Sequence, residues 1–543
     1  MPIPPESGTQ AGTTQREWWR DAVIYQVYVR SFADSDGDGD GDLPGIASRL
    51  PELAELGVDA VWLTPFYVSP LADGGYDVAD YRDVDPRFGT LADFDALAAA
   101  AHDLGLRVII DIVPNHSSSQ HPWFREAVAA EPGSPERARY IFRPGRGPGG
   151  DLPPNNWQSV FGGPAWTRLT RPDGTPDQWY LHLFDPAQPD LDWTLQEVHD
   201  EFDDVLRFWL DRGVDGFRID VAHGMVKDPA LPDIADGQSA DLLDGVTRLP
   251  YFDQDGVHEI YRRWRLIADS YPGQRALVAE AWVEDADRVS RYLRADELHQ
   301  AFNFEYLQTG WDAGALRRVI DRSLATNEKV GAPTTWVLSN HDVVRHVTRF
   351  GGGEEGLRRG LAATLLMLAL PGSAYLYQGE ELGLPEVTDL PEDALQDPTW
   401  ERSGHTERGR DGCRVPLPWE GSEAPFGFGP AGTAPWLPMP PAWSGLTRER
   451  QKADPGSPLA LYTRALRARH ELAALGEGAI SWIDAGDGVL AFRRGRSFVC
   501  AVNLSGAPVE LPLSGEVVVA SGPVTAGGGR IALPDDTAVW LRT

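Results

Sequence analysis

Short apolar runs alternate along this chain with longer segments whose apolar residues recur at helical spacing, from Trp18 onward. Eight runs have the pattern of strands buried on both faces, as in a parallel sheet covered by helices. They span 23–29, 59–63, 106–113, 214–219, 276–281, 301–304, 334–338 and 374–377. Helical spacing appears between them at 47–55, 91–103, 197–211 and 258–270. This alternation predicts an α/β fold, the TIM (β/α)8 barrel.

Three segments depart from the alternation. Residues 117–190 are rich in Pro, Gly, Asn and Trp and too long for an ordinary connection, so they predict a small inserted domain after the third strand. Residues 384–457 predict a long excursion before a helix at 458–471, and short strands from 479 onward predict an all-β C-terminal sandwich. We therefore expect a disordered lead-in at 1–16, barrel segments at 17–116 and 191–473, the inserted domain B at 117–190 and the sandwich domain at 474–543.

The formal net charge of −32, with a pI near 4.7, narrows the range of partners. A surface this negative repels nucleic acid and anionic membranes, so we expect neither as a partner. Cys413 and Cys500 lie far apart and predict neither a disulfide framework nor a zinc site, which fits a reducing, cytoplasmic compartment. Residues 1–16 lack the pattern of a secretory signal, and no apolar run reaches the ~18 residues of a membrane helix.

The stretch 213–220, Gly-Val-Asp-Gly-Phe-Arg-Ile-Asp, places a cation and a carboxylate at the end of the fourth predicted strand. Arg218 and Asp220 are two residues apart, so both leave the strand on the same side. A nearby opposite charge lowers the pKa of a carboxyl and keeps it ionised, as a carboxylate nucleophile requires. The alternative interpretation is a structural ion pair at the end of a strand.

Polar residues follow three other predicted strands. The third strand runs into a stretch that ends at His116, the fifth ends at Glu280, and the seventh is followed by His341 and Asp342. Reactive residues of a TIM barrel lie at the carboxyl ends of its strands. Three acids, two histidines and an arginine at four such ends therefore predict a catalytic site.

Several motifs, in order and at suitable spacing, carry a resemblance to a known family. DIVPNH, GFRIDVAH, the Glu of VAEAW and SNHD match four signature regions, and GVDAVWLTPFYVSP, QPDLDW and GSAYLYQGEELGL match three subsidiary ones. The chain resembles the α-amylase superfamily of glycoside hydrolases (family 13), and within it the α-glucosidase and oligo-1,6-glucosidase group. The resemblance implies that Asp220 is the nucleophile, Glu280 the general acid/base and Asp342 the stabiliser of the transition state.

The residues suit the retaining mechanism that this resemblance implies. A retaining glycosidase pairs an ionised carboxylate with a protonated carboxyl roughly 5 Å away. We expect Arg218 to keep Asp220 charged. We also expect the apolar neighbours of Glu280 to raise its pKa, so that it can donate a proton.

The resemblance also implies a pocket for one terminal sugar. Asp73 and Tyr76, after the second strand, match residues that line it, and Arg414 matches an arginine that pairs with the aspartate and closes the far side. A closed pocket predicts exo-action on chain ends. His116 and His341 match donors to sugar hydroxyls, and further substrate-binding positions are Phe161, Phe184, Gln188, Arg218 and Val221. The alternative interpretations are core histidines, packing aromatics, a surface turn and an unrelated basic loop.

Alternate acids follow the first predicted strand, in the stretch Asp-Ser-Asp-Gly-Asp-Gly-Asp-Gly-Asp at 34–42. Acids separated by Gly and Ser let a tight loop turn several oxygens inward, which suits a hard cation. Related glucosidases carry a comparable loop with structural Ca²⁺ or Mg²⁺. The resemblance thus implies a metal site with carboxylates from Asp34, Asp36, Asp38 and Asp42 and a backbone carbonyl from Asp40; the alternative is a solvated loop without metal.

The function that follows is a retaining, exo-acting α-glucosidase for short oligosaccharides, with no organic cofactor. In the group, Val after the nucleophile tends to accompany α-1,6 cleavage and Thr or Ala α-1,4 cleavage; here the residue is Val221, in a context that matches neither closely. Residues 224–250 predict a substrate loop beside the acceptor site. We expect α-1,4 hydrolysis with α-1,6 activity as an addition. The alternatives are a transglucosylase or isomerase that uses the same covalent intermediate, and a non-catalytic binding subunit, against which the three acids argue.

Overall fold

The computed structural model describes residues 17–235, 249–472, 474–476 and 478–543. The predicted lead-in at 1–16 lies outside these residues, as does part of the predicted substrate loop, 236–248.

Eight parallel strands form the central sheet. They are β1 (Val23–Val27), β2 (Ala60–Leu63), β3 (Arg107–Ile112), β4 (Gly216–Ile219), β5 (Ala276–Ala279), β6 (Gln300–Ala301), β7 (Thr335–Val337) and β8 (Ser373–Tyr377). Hydrogen bonds join them in the order β6-β5-β4-β3-β2-β1-β8-β7, which is the cyclic order of a barrel. The prediction of a TIM (β/α)8 barrel is confirmed, and it brings the carboxyl ends of all eight strands to one face.

A helix follows each strand and covers the outside of the barrel. The helices are α1 (Leu43–Leu56), α2 (Leu91–Asp103), α3 (Gln196–Asp211), α4 (Val257–Asp269), α5 (Ala286–Tyr292), α6 (Ala313–Glu328), α7 (Gly353–Ala369) and α8 (Pro458–Glu471). Helix α3 buries one apolar stripe that includes Phe202, Val205 and Trp209, while its other face is charged. Helix α2 begins at a capping box in which Thr90 and Asp93 satisfy each other's backbone N–H groups, so the predicted bounds 91–103 are confirmed.

The sixth strand is shorter than predicted. It covers only Gln300–Ala301, because the Asn303 side chain accepts a hydrogen bond from the Tyr306 backbone N–H at 3.0 Å and caps a new helix, Phe304–Gln308. The apolar residues after Ala301 therefore turn toward the catalytic face of the barrel and do not extend the sixth strand.

Domain B is inserted between β3 and α3, as predicted. It contains the helices Pro122–Ala129 and Pro135–Ala138 and a three-stranded antiparallel sheet in the order Phe142–Arg143, Pro176–Leu181, Trp166–Thr170. Some of its apolar residues, such as Phe124 and Tyr180, join the main core. Others form a smaller cluster with residues that follow β4; the cluster includes Trp157, Phe161, Trp166, Leu183, Phe184, Val221, Tyr251 and Phe252. The exact bounds 117–190 stay a prediction.

His121, which caps the first helix of domain B, gives a test of pH-dependent stability. Its Nδ1 accepts a hydrogen bond from the Trp123 backbone N–H at 3.2 Å, and burial, with Arg139 and Arg82 nearby, lowers the pKa of the imidazole to about 4. In the unfolded chain the pKa is about 6.5, so the unfolded state binds the proton first and stability is lost as pH falls from about 6.5 to about 4.

We expect His121→Asn, which keeps a capping acceptor, to escape this loss. Between about pH 7 and about pH 5 the free energy of unfolding should fall by about 2 kcal/mol more in the wild type than in the variant, as measured by urea denaturation. If the free energy of unfolding falls with pH equally in the two proteins, His121 is not the group whose titration causes the loss.

The segment after β8 forms the predicted excursion and holds only short helices, two of which, Pro398–Arg402 and Asp411–Arg414, flank the pocket described below. The C-terminal residues form a five-stranded antiparallel sheet in the order Ile480–Ile483, Val489–Arg494, Phe498–Asn503, Thr537–Arg542, Glu516–Ala520, and a three-stranded sheet in the order Val509–Leu511, Arg530–Leu533, Thr525–Gly527. The all-β C-terminal domain is thus confirmed. It packs on α7, where Trp540 Nε1 donates to the Leu365 carbonyl at 3.0 Å.

The remaining short elements connect these parts. They are the strands Tyr67–Val68 and Asp80–Val84, the helices His346–Arg349 and Arg448–Ala453, and the 3-10 turns Trp18–Arg20, Val29–Ser31, Glu392–Ala394 and Pro441–Gly445. Among the described residues, no helix combines the length and the apolar character needed to cross a membrane.

Candidate active site

A pocket of about 1200 Å³ opens at the carboxyl ends of the barrel strands. Its walls include the three predicted catalytic acids, Asp220, Glu280 and Asp342, which come from the ends of β4, β5 and β7. The predicted pocket residues that line it are Asp73, Tyr76, His116, Phe161, Phe184, Val221 and His341. Gln188, Arg218 and Arg414 are buried behind the wall and act through the residues in front of them.

Arg218 joins the acids of three neighbouring strands. Its Nη1 lies 2.7 Å from Asp220 Oδ1 and 2.6 Å from Asp111 Oδ1, and its Nη2 lies 3.0 Å from Glu280 Oε2. The guanidinium is 2% exposed, so these contacts form in a region of low dielectric where they are strong. Asp111, which also accepts from Trp62 Nε1 at 2.9 Å, fixes the arginine from behind.

Burial raises the pKa of Asp220 well above its usual value, and the Glu280, Asp111 and Asp342 carboxylates raise it further, while Arg218 lowers it. Arg218 therefore acts in the predicted direction but does not outweigh burial. Burial likewise raises the pKa of Asp111, to about 6. Asp220 and Asp111 therefore bind protons more tightly than isolated carboxyls do.

Glu280 has polar neighbours, which corrects the expectation of an apolar setting. Its Oε1 accepts from Trp282 Nε1 at 3.0 Å, and its Oε2 accepts from the Val221 backbone N–H at 2.8 Å in addition to Arg218. Val221 makes this contact with a φ of 44°, a conformation that β-branched residues rarely adopt. The residue after the predicted nucleophile thus orients the neighbouring acid through its backbone, a contact that the sequence did not indicate.

Asp342 is held ionised by its surroundings. Its Oδ1 lies 3.1 Å from Arg410 Nη1 and 3.0 Å from Arg414 Nη2, and its Oδ2 lies 3.3 Å from His341 Nε2. Burial opposes its charge, but the Nε2–H of the neutral His341 and the positive charges of Arg410 and Arg414 outweigh burial and lower its pKa below the usual range. This carboxylate is therefore the fixed negative charge of the site.

The two predicted histidines are neutral and engaged with other polar groups. Burial lowers the pKa of His116 to about 4 and that of His341 well below its usual value. His341 Nε2 lies 2.7 Å from the Tyr76 hydroxyl, and the two rings stack with centroids 5.3 Å apart. His116 Nε2 lies 3.1 Å from both the Tyr76 carbonyl oxygen and Gln188 Nε2. Neither imidazole is a core histidine, since both line the pocket.

The arginine that pairs with Asp73 is Arg410, which corrects the prediction for Arg414. Arg410 Nη2 lies 2.7 Å from Asp73 Oδ1, whereas Arg414 donates from Nε to the His341 carbonyl at 2.8 Å and packs over the Tyr28 ring. Both arginines belong to one motif, 410–416, in which Arg410 precedes the short helix Asp411–Arg414 and Arg414 ends it. The predicted closing ion pair thus exists, with a different arginine.

Asp397 was not predicted and holds Arg410 in place. Its Oδ2 lies 2.5 Å from Arg410 Nε and 2.9 Å from the Arg410 backbone nitrogen, while its Oδ1 caps the helix Pro398–Arg402 at Thr399. Arg402 from this helix donates to the Gly162 carbonyl of domain B. The excursion and domain B therefore meet across one end of the pocket and close it.

The acidic loop after β1 brings three of its five aspartates together. Oxygens of Asp34, Asp36 and Asp42 lie within 4.8 Å of one another, and Asp34 and Asp42 are buried. The Asp40 carboxylate lies 2.6 Å from Arg30 and is not part of the three-acid group, and the role predicted for its backbone carbonyl stays a prediction. Asp38 accepts from the Asp40 backbone N–H and is not part of the three-acid group. Three converging carboxylates fit a hard divalent cation.

Comparison with known proteins identifies the family. The family model described as "Alpha amylase, catalytic domain" matches residues 26–478. A probable α-glucosidase from Rhizobium meliloti (strain 1021) is 40% identical over 525 residues, 92% of each chain, and an oligo-1,6-glucosidase from Parageobacillus thermoglucosidasius is 36% identical over 505 residues, 85% of each chain.

Two solved structures are similar over nearly the whole chain. The α-glucosyl transfer enzyme XgtA has a TM-score of 0.86 at 40% identity, covering 97% of this chain and all of its own. The trehalulose synthase MutB from Pseudomonas mesoacidophila MX-45 has a TM-score of 0.87 at 30% identity with the same coverage. Three findings indicate the same family: the match of the family model, the relatives that are similar over most of the chain, and the barrel with its three acids. The chain belongs to the α-amylase family and is a glycoside hydrolase.

Proposed function

We propose that this enzyme is a retaining, exo-acting α-glucosidase that releases glucose from the ends of short α-glucosides. The observation that carries the proposal is the single guanidinium of Arg218, which contacts both Asp220 and Glu280. Contacts of 2.7 and 3.0 Å to one guanidinium keep the two carboxyls beside each other, which favours a retaining enzyme, whose carboxyls lie about 5 Å apart.

In the proposed first step, Glu280 gives its proton to the glycosidic oxygen while Asp220 attacks the anomeric carbon, so that the aglycone leaves and a glucosyl ester forms on Asp220. In the second step Glu280 takes a proton from water, which attacks the same carbon and frees Asp220. The Val221 N–H and Trp282 orient Glu280 for both transfers. Asp342, kept ionised by Arg410 and Arg414, stabilises the positive charge of the oxocarbenium-like transition state.

Exo-action is supported by the closed end of the pocket. There Asp73 pairs with Arg410 and accepts from Gln188 Nε2 at 3.1 Å, and Arg402 bridges to domain B. These contacts close the end of the pocket beyond Asp73 and thereby favour binding of a terminal sugar there. We therefore place the non-reducing glucose there, with its hydroxyls on Asp73, His116, His341 and Arg410.

The test compares maltose and isomaltose as substrates and follows the anomer first released by NMR. We expect α-glucose from both, with maltose the better substrate. No glucose from either sugar would reject the proposal, and β-glucose as first product would reject retention. The preference between the two linkages also tests whether Val221 acts as a marker of α-1,6 cleavage.

A transglucosylase is the second candidate, because two structural neighbours are named as a glucosyl transfer enzyme and a trehalulose synthase. It would use the same glucosyl ester and pass the sugar to an acceptor hydroxyl in place of water. Product analysis at high sugar concentration separates the two candidates: new di- and trisaccharides in excess of glucose indicate transfer.

Removing Asp397 should weaken binding of the terminal glucose. Without its carboxylate Arg410 loses the group that orients it toward Asp73. We expect Asp397→Asn, which keeps a capping acceptor for Thr399, to raise KM for maltose about tenfold with a smaller change in kcat. Asp285→Asn, at the cap of α5 and outside the pocket lining, is the matched control. If the two variants show the same changes in KM and in kcat, Asp397 has only a structural role.

The acidic loop is proposed to bind a structural Ca²⁺ or Mg²⁺ through Asp34, Asp36 and Asp42. We expect saturating Ca²⁺ to raise the melting temperature by several degrees and chelation to lower it, since a ligand of the folded state stabilises it by mass action. Asp36→Asn should remove the response, whereas Asp38→Asn should keep most of it. The absence of any shift in the wild-type protein would leave the solvated loop as the correct interpretation.

We propose a cytoplasmic location because both cysteines are free and buried, as is usual in a reducing compartment. The substrate partner proposed is a small α-glucoside.

A further inference from the structure

One glutamine interrupts the apolar first strand of the barrel. All five residues of β1, Val-Ile-Tyr-Gln-Val, are buried, and Gln26 is 2% exposed. Side chains alternate along a strand, so Gln26 faces the same side as Ile24, which packs in an apolar cluster with Trp62 and Val278 from neighbouring strands. A buried amide destabilises the folded state unless it is hydrogen-bonded, so the partner of Gln26 accounts for its presence.

That partner is the imidazole of His341. Gln26 Nε2 lies 2.7 Å from His341 Nδ1. Three aromatic rings enclose the imidazole: Tyr76 stacks on it, Tyr28 lies 5.8 Å away between ring centroids, and Trp62 meets it edge-on at 6.1 Å. The position of the ring is thus fixed, and the chemistry depends on which of its two nitrogens carries the hydrogen.

The ionised Asp342 determines which nitrogen this is. Its Oδ2 lies 3.3 Å from His341 Nε2, and a lone pair on that nitrogen would face the negative charge. Nε2 therefore carries the hydrogen and Nδ1 keeps its lone pair. Only a donor stabilises that lone pair, so Gln26 turns its NH₂ group and not its oxygen toward the ring.

A chain of hydrogen bonds with one direction follows from this assignment. Gln26 donates to His341 Nδ1, and His341 Nε2–H donates to the Tyr76 oxygen at 2.7 Å. The Tyr76 hydroxyl donates to Asp111 Oδ2 at 3.3 Å, and Asp111 accepts from Arg218 Nη1 at 2.6 Å. With the hydrogen on Nδ1, the Tyr76 hydroxyl would have to donate to His341 and would leave Asp111.

The charges around His341 keep the imidazole neutral. Burial lowers its pKa well below the usual value. Asp342 opposes this effect, and three positive charges reinforce it, those of Arg414, Arg218 and Arg410. The donor on Gln26 acts in the same direction as burial, since a protonated Nδ1 would face an N–H group. A neutral His341 leaves the negative charge of Asp342 uncompensated for the positive transition state.

We propose that Gln26 is a positioning residue of the active site, which holds His341 in the neutral form with its hydrogen on Nε2. Gln26 touches no substrate and acts through His341, whose Nε2–H it directs toward Asp342, Tyr76 and the bound sugar. The effect on turnover rests on the proposed α-glucosidase activity, whereas the state of His341 is measurable without any substrate.

The test is nitrogen-15 NMR of protein labelled in its histidines, with His341→Gln used to assign the signals of His341. In the wild type at neutral pH we expect hydrogen on Nε2 and, on Nδ1, the shift of an unprotonated nitrogen that accepts a hydrogen bond. Gln26→Met is similar in length but has no donor. In this variant the Nδ1 signal should move to the shift of a nitrogen without a hydrogen bond. We also expect kcat/KM for maltose to fall about tenfold, the scale of one lost hydrogen bond to a buried group.

Gln300→Met is the matched control. Gln300 in β6 is also a buried glutamine of the barrel, but it donates to the Trp19 carbonyl and to Ser373 Oγ and accepts from the Tyr375 hydroxyl. Each variant leaves a buried polar group unpaired, so both should have lower melting temperatures than the wild type. Only Gln26→Met should change the His341 signals and reduce kcat/KM.

Three results would each overturn the inference. They are hydrogen on Nδ1 of His341 in the wild type, an unchanged Nδ1 signal in Gln26→Met, and equal kcat/KM for maltose in Gln26→Met and Gln300→Met. Failure of the proposed function gives a different result: the wild type releases no glucose from maltose, while its His341 signals still respond to Gln26→Met.

Discussion

Asp220→Asn is expected to reduce kcat on maltose by at least about 10⁴-fold, because an amide cannot form the glucosyl ester through which both steps pass. The fold should persist. Burial and three neighbouring carboxylates raise the pKa of Asp220, so the native state holds this group against an electrostatic cost, and a neutral amide relieves it. We therefore expect a melting temperature at neutral pH equal to or above that of the wild type.

A contrasting variant exists on the same strand. Asp215, just before β4, is buried at the opposite end of the barrel with Arg107, Arg275 and His102. Asp215→Asn should lower stability by about 3 kcal/mol because it breaks a buried charge network, yet leave kcat within a few-fold. Substantial turnover by Asp220→Asn, after mass spectrometry has excluded reversion by deamidation, would remove Asp220 from the role of nucleophile.

Glu280→Gln is expected to have the second largest effect. Glutamine keeps the contacts to the Val221 N–H but has no proton to give and cannot activate water. For maltose we expect a loss of about 10³ to 10⁴ in kcat/KM, the range of general acid–base catalysis. For a glucoside with an activated leaving group, such as the 2,4-dinitrophenyl glucoside, formation of the ester should be far less affected because no proton is needed.

Azide provides the decisive measurement for this variant. It attacks the ester without base catalysis, so azide should restore turnover of the activated substrate and yield an α-glucosyl azide. Glu284→Gln, four residues on in an exposed loop, is the matched control and should resemble the wild type. If azide changes nothing and both substrates lose activity equally, Glu280 is not the acid/base.

Around Arg218, the arrangement of charges that suits the proposed chemistry lowers the stability of the folded state. A single buried guanidinium faces Asp111, Asp220 and Glu280, and burial raises the pKa of Asp111 to about 6. An excess of acids over bases in a dry cluster is unfavourable for folding. The same excess of acids favours the proposed mechanism, in which one proton must be retained near two carboxyls. The large barrel core supplies the stability that the cluster costs.

The barrel, and the three acids at the ends of its strands, could be predicted from the sequence. Strand positions followed from apolar runs of the right length, because a strand buried on both faces leaves no other pattern. The place of three acids at strand ends indicated a site, because the topology of a barrel brings those ends together whatever the details of packing. The roles predicted for the acids came from the family resemblance. Helix bounds such as 91–103 were also readable, since the capping residues Thr90 and Asp93 are local in sequence.

Only the tertiary structure decided the contacts made through loops. Two arginines four residues apart, Arg410 and Arg414, fit the closing ion pair equally well in sequence, and Asp397, from elsewhere in the excursion, selects the first. The polar surroundings of Glu280 depend on the backbone of Val221 at a φ of 44° and on an arginine from the neighbouring strand. A side chain at a strand end faces across the barrel and not along its own chain, so other strands supply its contacts. Its neighbours in sequence therefore predict its environment poorly.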